Sequence, residues 1–262
     1  MIKQRHVAAL LVEFFGTLTL SLVVLSVSLY RFPFFTALAA GVTIAVFVSA
    51  FAKISGGHLN PAVTVGMFAI RQVTALRAVG YIAVQMLAGF AAWQLYEYLT
   101  DRALTNATAA AIEWNVVAAE AIGAFIFGLA LTAAVTQKLK GYQAAYTMGA
   151  GLFLGLIVSG LASNSLLNPA VAVAVRSFDP VTYVAAPVVG FLFGAVMIAY
   201  VIAPVLRKDE DSNAVAVASK PAVVASVETK STAAAKKPAT KKAAAKKPAT
   251  KKATSKKSTA KK

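Results

Sequence analysis

The sequence predicts an all-α membrane protein of six transmembrane helices plus two re-entrant half-helices, arranged as an inverted repeat. Three observations predict it. Six apolar stretches are each long enough to cross a hydrocarbon core about 30 Å thick, which takes roughly 20 helical residues. Two copies of Asn-Pro-Ala-Val stand 108 positions apart, each opening an apolar segment too short to cross. Two carboxylates, Glu13 and Glu120, interrupt apolar runs at corresponding places 107 positions apart. The composition agrees: 58% of residues are hydrophobic and the mean hydropathy is +0.70, values that long apolar runs produce and a soluble core rarely does.

The six stretches are residues 7–30, 34–53, 76–98, 115–137, 142–162 and 181–206. Helices are expected because unpaired backbone groups are not tolerated in lipid. The first run is longer than the apolar region of a signal peptide and contains Glu13, so it reads as a span. Six spans place both termini on one side. That side holds Lys3, Arg5, Lys53, Arg71, Arg77, Lys138, Lys140, Arg207 and Lys208, against Arg31, Arg102 and Arg176 on the other. The excess of cations predicts a multi-pass cell-membrane protein with cytoplasmic N- and C-termini.

Residues 1–206 read as one channel-like domain of two repeats, about 7–99 and 114–206. Gly41 pairs with Gly149, and Asn60-Pro61-Ala62-Val63 with Asn168-Pro169-Ala170-Val171, both at a separation of 108. Each repeat holds three spans. Because three is odd, the second repeat enters from the opposite face, and the site is expected at the midplane between the halves.

Between spans two and three lies SGGHLNPAVTVGMFAI, and between spans five and six SNSLLNPAVAVAV. From Pro61 to Ile70 a helix rises about 15 Å, roughly half a bilayer. Asn caps a helix and Pro at the first position loses no hydrogen bond, so each motif starts a half-helix inside the membrane. Each start carries roughly half a positive charge. Two facing starts form a positive centre that repels cations, hydronium included. The side-chain amides of Asn60 and Asn168 can both donate to a passing oxygen, which leaves a water held there poorly placed to relay a proton. A solitary Asn-Pro-Ala is an ordinary helix cap; two copies in matching repeats are a site.

These motifs resemble those of the major intrinsic protein family, the aquaporins, over about residues 5–206. The carrying residues are ISGGHLNPAVT around Asn60, Pro61 and Ala62, the second Asn168-Pro169-Ala170, and the paired Glu13 and Glu120. The resemblance implies six tilted helices, two re-entrant half-helices, one pore per subunit, a homotetramer, and passage of water or small neutral solutes. It implies that Glu13 and Glu120 support the re-entrant loops rather than relay protons, and that His58 lines the pore on the cytoplasmic side, where an isolated His could equally cap a loop. Gly16, Gly41, Gly80, Gly89, Gly123, Gly149, Gly190 and Gly194 are expected to permit close helix crossings.

One region departs from the family. An arginine usually follows the second Asn-Pro-Ala and narrows the outer mouth; here that position is Val171. Distance from the two motifs places the other selectivity-filter positions at Ala40, Leu156 and Ser165. That filter is wide, mostly apolar and uncharged, which predicts permeation by glycerol- or urea-sized solutes beside water. The glycerol-conducting branch usually has Asp after its arginine, whereas Ala172 stands here, so no branch is identified. A competing alignment makes Arg176, in RSFDP, the filter arginine displaced by five residues. Five helical residues raise a side chain by about 7.5 Å and turn it by about 140°, which favours Arg176 at the outer mouth or interface.

The net charge of +16 is uneven: residues 1–208 contribute +6 and 209–262 contribute +10. Lys-Lys recurs at 236, 241, 246, 251, 256 and 261 with Ala, Pro, Thr and Ser between. Residues 207–262 therefore read as a disordered cytoplasmic tail. The repeat resembles linker-histone tails in composition. It is solvated, adheres to anionic lipid head groups, or binds nucleic acid without base specificity. The last possibility supplies an alternative function, a membrane-anchored polyanion-binding protein. There are no cysteines and two histidines, so neither a disulfide framework nor a metal site is expected. No phosphate-binding Gly-rich loop and no cluster of acid, base and nucleophile is seen, so neither a cofactor nor an enzyme is expected.

Overall fold

The computed structural model of the chain describes residues 4–29, 32–106 and 111–206. These residues fold into α1 (Gln4–Ser28), α2 (Pro33–Phe51), α3 (Pro61–Ala69), α4 (Ala75–Thr100), α5 (Trp114–Thr136), α6 (Gly141–Ser159), α7 (Pro169–Ala174) and a last long helix, α8 (Val181–Leu206). Six of them are long and apolar enough to cross a membrane. Their ends fall within three residues of the six stretches expected from the sequence. Tail residues 207–262, and with them the lysine repeat, lie outside the described residues.

The long helices are exposed where a soluble protein would be polar. Val42, Val46, Leu87, Phe90, Val189 and Phe193 are all exposed on helix surfaces, as side chains facing lipid are. Where the helices cross most closely, glycines sit at the contact, which is the membrane pattern of close backbone approach. The crossing of α2 and α6 illustrates it. A Cβ on Gly41 would lie 2.7 Å from the Gly149 carbonyl oxygen, and a Cβ on Gly149 would lie 2.5 Å from that of Gly41. Each glycine thus makes room for the other's backbone. Gly80 does not behave this way: a Cβ there would meet only the end of the Leu10 side chain, at 3.2 Å.

The helices pair in matched fashion. Helix α1 packs on α4 and α2, α5 packs on α8 and α6, and α2 packs on α6. The two short helices cross over: α3 rests on α4 and α8, and α7 rests on α4 and α1. The last helix is not uniform. Turns at Val181–Ala185 and Met197–Ile202 widen to π geometry, and Pro187, which has no N–H to donate, lies just after the first.

Candidate functional site

The two short helices begin at their asparagines, as the Asn-Pro dipeptides dictate. Asn60 is extended, with φ −159° and ψ 124°, and its side-chain oxygen accepts from the Ala62 amide at 2.8 Å. Asn168 does the same with the Ala170 amide at 3.0 Å. Pro61 and Pro169 occupy the first helical positions, where no N–H is needed.

The starts also hold each other. Asn60 Nδ2 donates to the Leu167 carbonyl at 2.8 Å, and Asn168 Nδ2 donates to the Leu59 carbonyl at 2.9 Å. A primary amide carries two N–H donors, so this exchange uses one from each. The geometry requires an unusual backbone. Leu59 and Leu167 are left-handed, with φ of 50° and 51°, a conformation that costs a non-glycine residue about 1–2 kcal/mol. Packing over-determines it. The Leu59 side chain fills the space over Gly16, and the Leu167 side chain fills that over Gly123. Both leucines are fully buried.

Two buried carboxylates bind the loops that precede the starts. Glu13 accepts from the His58 amide at 3.0 Å and the Leu59 amide at 2.7 Å. Glu120 accepts from the Leu166 amide at 2.9 Å and the Leu167 amide at 2.8 Å. The remaining lone pairs differ between the two. Glu13 takes Gln85 Nε2 at 2.8 Å, whereas Glu120 takes the hydroxyls of Ser159 and Ser163. Gln85 is also bonded to Thr64, whose hydroxyl lies 3.1 Å from His58 Nδ1. His58 is buried and stands edge-on to Tyr81, with ring centroids 5.3 Å apart.

A cavity of about 670 Å³ reaches from the end bearing Phe32, Pro33, Leu104 and Leu161 down to Asn60 and Asn168. Ala40, Leu156, Ser165 and Val171 all line it, and among the described residues none that lines it is charged. Arg176 is elsewhere. It follows α7 in a left-handed conformation, with φ 61°. The Ser177 amide donates to the Ala172 carbonyl at 2.9 Å, the hydrogen bond that closes a helix end of this type. Its guanidinium sits 4.4 Å from the centre of the Trp93 ring and donates to the Leu104 carbonyl. Glu97 accepts from the amide of the same Leu104 at 2.7 Å. The peptide lip at Leu104, which lines the cavity mouth, is thereby gripped at both its N–H and its C=O.

Sequence reasoning missed Gln85, Ser159 and Ser163 as partners of the carboxylates, and Thr64 as the partner of Gln85 and His58. Gln85 carried a signal: a fully polar side chain inside an apolar run is costly in lipid and normally has a partner. The grip of Arg176 and Glu97 on Leu104 had none, because it joins residues 72 positions apart through a backbone group. Among the described residues no group of His, Asp and Glu is placed to hold a metal ion.

The family model described as major intrinsic protein matches residues 6–197. Aquaporin-2 of Ovis aries is 30% identical over 181 residues, covering 64% of this chain and 67% of that relative. Aquaporin AqpM of Methanothermobacter thermautotrophicus is 29% identical over 197 residues, covering 62% of this chain and 74% of that relative. Among solved structures, the aquaglyceroporin from Plasmodium falciparum superimposes with a TM-score of 0.63 at 19% identity, covering 78% of this chain and 99% of that one.

Proposed function

The chain belongs to the major intrinsic protein family, and from that premise we propose that it is a passive membrane channel for water and small uncharged solutes of the glycerol or urea type, closed to protons and ions. The observation that carries this reading is the reciprocal bonding of Asn60 and Asn168 at the floor of an uncharged cavity. In this reading α3 and α7 are re-entrant half-helices of an inverted repeat, within a channel domain spanning residues 1–206. Their starts meet at the midplane, each with roughly half a positive charge. Cations are repelled there, and a permeating oxygen is held by the second N–H of each amide.

Glu13 and Glu120 act as loop supports. Two backbone donors converge on each carboxylate, which fixes the carbonyls of residues 59 and 167 in line with the opposing asparagines. His58 lines the passage on the cytoplasmic side of the amides. Ala40, Leu156, Ser165 and Val171 occupy the positions of the outer selectivity filter and leave it wide, while Arg176 holds the mouth. Four copies of the chain assemble, each with its own pore. Both termini lie in the cytoplasm, where the +10 segment 209–262 rests on anionic lipid head groups.

Proteoliposomes containing the full chain are expected to shrink in an osmotic gradient well ahead of protein-free vesicles. They should do so equally after removal of residues 209–262. Shrinkage no faster than that of protein-free vesicles overturns the channel reading. Loss of polyanion binding on truncation, together with absent flux in both forms, would instead favour a membrane-anchored polyanion-binding protein.

A further inference from the structure

We infer that the size-selecting step lies at Asn60 and Asn168 and beyond them toward His58, and that the outer cavity is a binding site for uncharged polyols too long to pass. This rests on the channel reading above. The four positions that would form an outer constriction all line one continuous cavity of about 670 Å³, whose floor is the two asparagines. The mouth and the amides therefore belong to one connected space. Its volume falls in the range of roughly 300–1,000 Å³ that encloses a whole drug-sized ligand, far more than a water file needs.

Past the amides the packing changes. The cavity lining ends at the asparagines, and beyond them the His58 ring is tied to Thr64 at 3.1 Å and set against Tyr81. A side chain held by two neighbours yields little to a bulky solute. The sieve has moved from the mouth, where Val171 and Ala40 leave room, to the level that the hydrogen bonds between the halves keep rigid.

The lining fits the ligand class. Val24, Ile44 and Leu152 come from α1, α2 and α6, while Ser163, Asn164 and Ser177 come from the loops before and after α7. A linear polyol presents C–H and O–H groups along its length and can use both. The described lining residues carry no charge and so offer ions no partner. A polyol that enters but cannot cross occupies the route of water and lowers its flux by the factor 1 + [L]/Kd. At about ten times Kd, about one-tenth of the flux remains.

Wild-type proteoliposomes answer the question directly. Water flux is driven by dextran while erythritol, xylitol or sorbitol is present equally on both faces, and protein-free vesicles control for viscosity. The expected result is that sorbitol does not cross, yet lowers water flux saturably, with the longer polyols acting at the lower concentrations. Ala40→Phe and Val171→Arg, which each fill the cavity, should weaken that block. Sorbitol crossing the membrane would put the sieve elsewhere, and sorbitol excluded without any effect on water flux would show that the cavity does not bind it. Either result overturns this inference and leaves the channel standing. Absence of water flux without any polyol removes the channel reading itself.

Discussion

The two halves of the molecule share a skeleton and differ in what they do with it. In each, a carboxylate on the first helix takes two amides of the loop that precedes an Asn-Pro pair, and a left-handed leucine turns its carbonyl to the opposite asparagine. The surroundings then diverge. In the first half α3 has 9 residues, and a Gln85–Thr64–His58 network fills the space beside its start. In the second, α7 has 6 residues, two serines serve the carboxylate, and the space beside the start is an open cavity. Backbone geometry is shared because it places the asparagines. Side-chain chemistry differs between the halves because each start has different neighbours.

The largest effect is expected where the halves cross. Gly149→Val drives a branched side chain into the Gly41 carbonyl, a close approach already at 2.5 Å for its first carbon. The loss should be on the order of 3 kcal/mol, as overpacking costs at its upper range, read as a collapse in thermal stability of purified protein in detergent. Gly80→Ala, facing only the end of Leu10, should change stability little; an equal loss at both sites would break the distinction between them.

Next come the carboxylates. Glu13→Gln and Glu120→Gln each set an NH2 group against one backbone N–H, leaving a buried donor without an acceptor at a cost on the order of 2 kcal/mol. Equivalence of the halves predicts similar losses, with less folded protein but retained proton exclusion in what folds. Altered proton conductance in well-folded Glu13→Gln would instead mark that side chain as part of a proton path.

A smaller change, in selectivity rather than stability, is expected from Val171→Arg. It places a cation in the uncharged cavity and should lower glycerol flux more than water flux in stopped-flow assays.

The smallest effect sharpens the comparison at the helix ends. Arg71 and Arg176 both end a short helix in a left-handed conformation, each with φ 61°. Arg71 is exposed, so Arg71→Gly should stabilise by about 1 kcal/mol through relief of the backbone alone. Arg176→Gly gains the same relief and loses the bonds to Leu104 and Trp93, so it should show no net gain. A gain in melting temperature at both positions would mean that the grip on Leu104 contributes nothing.

Much of this skeleton is legible in the sequence because it rests on local rules. Spans follow from length and apolarity, the short helices from Asn-Pro, and the pairing of the halves from spacing. Glu13 and Glu120 stand out because an intramembrane carboxylate needs a partner. Helix geometry already favours Val171 over Arg176 for the filter position in the sequence. The cavity lining includes the first, and the second turns away because α7 ends at Ala174 with Arg176 past its terminus. The Gln85 network, the serines on Glu120 and the widened turns of α8 were not legible. They depend on which helices meet, and the apolar pattern of a membrane helix, exposed to lipid on one side and packed on the other, carries no such register.

The account depends most on an outer mouth that is open and uncharged. The direct test is glycerol permeability of proteoliposomes bearing the full chain, followed by light scattering after an inward glycerol gradient. Rapid reswelling, many times faster than in protein-free vesicles, is the predicted result. Water flux that is raised while glycerol reswelling stays at the protein-free rate would contradict it.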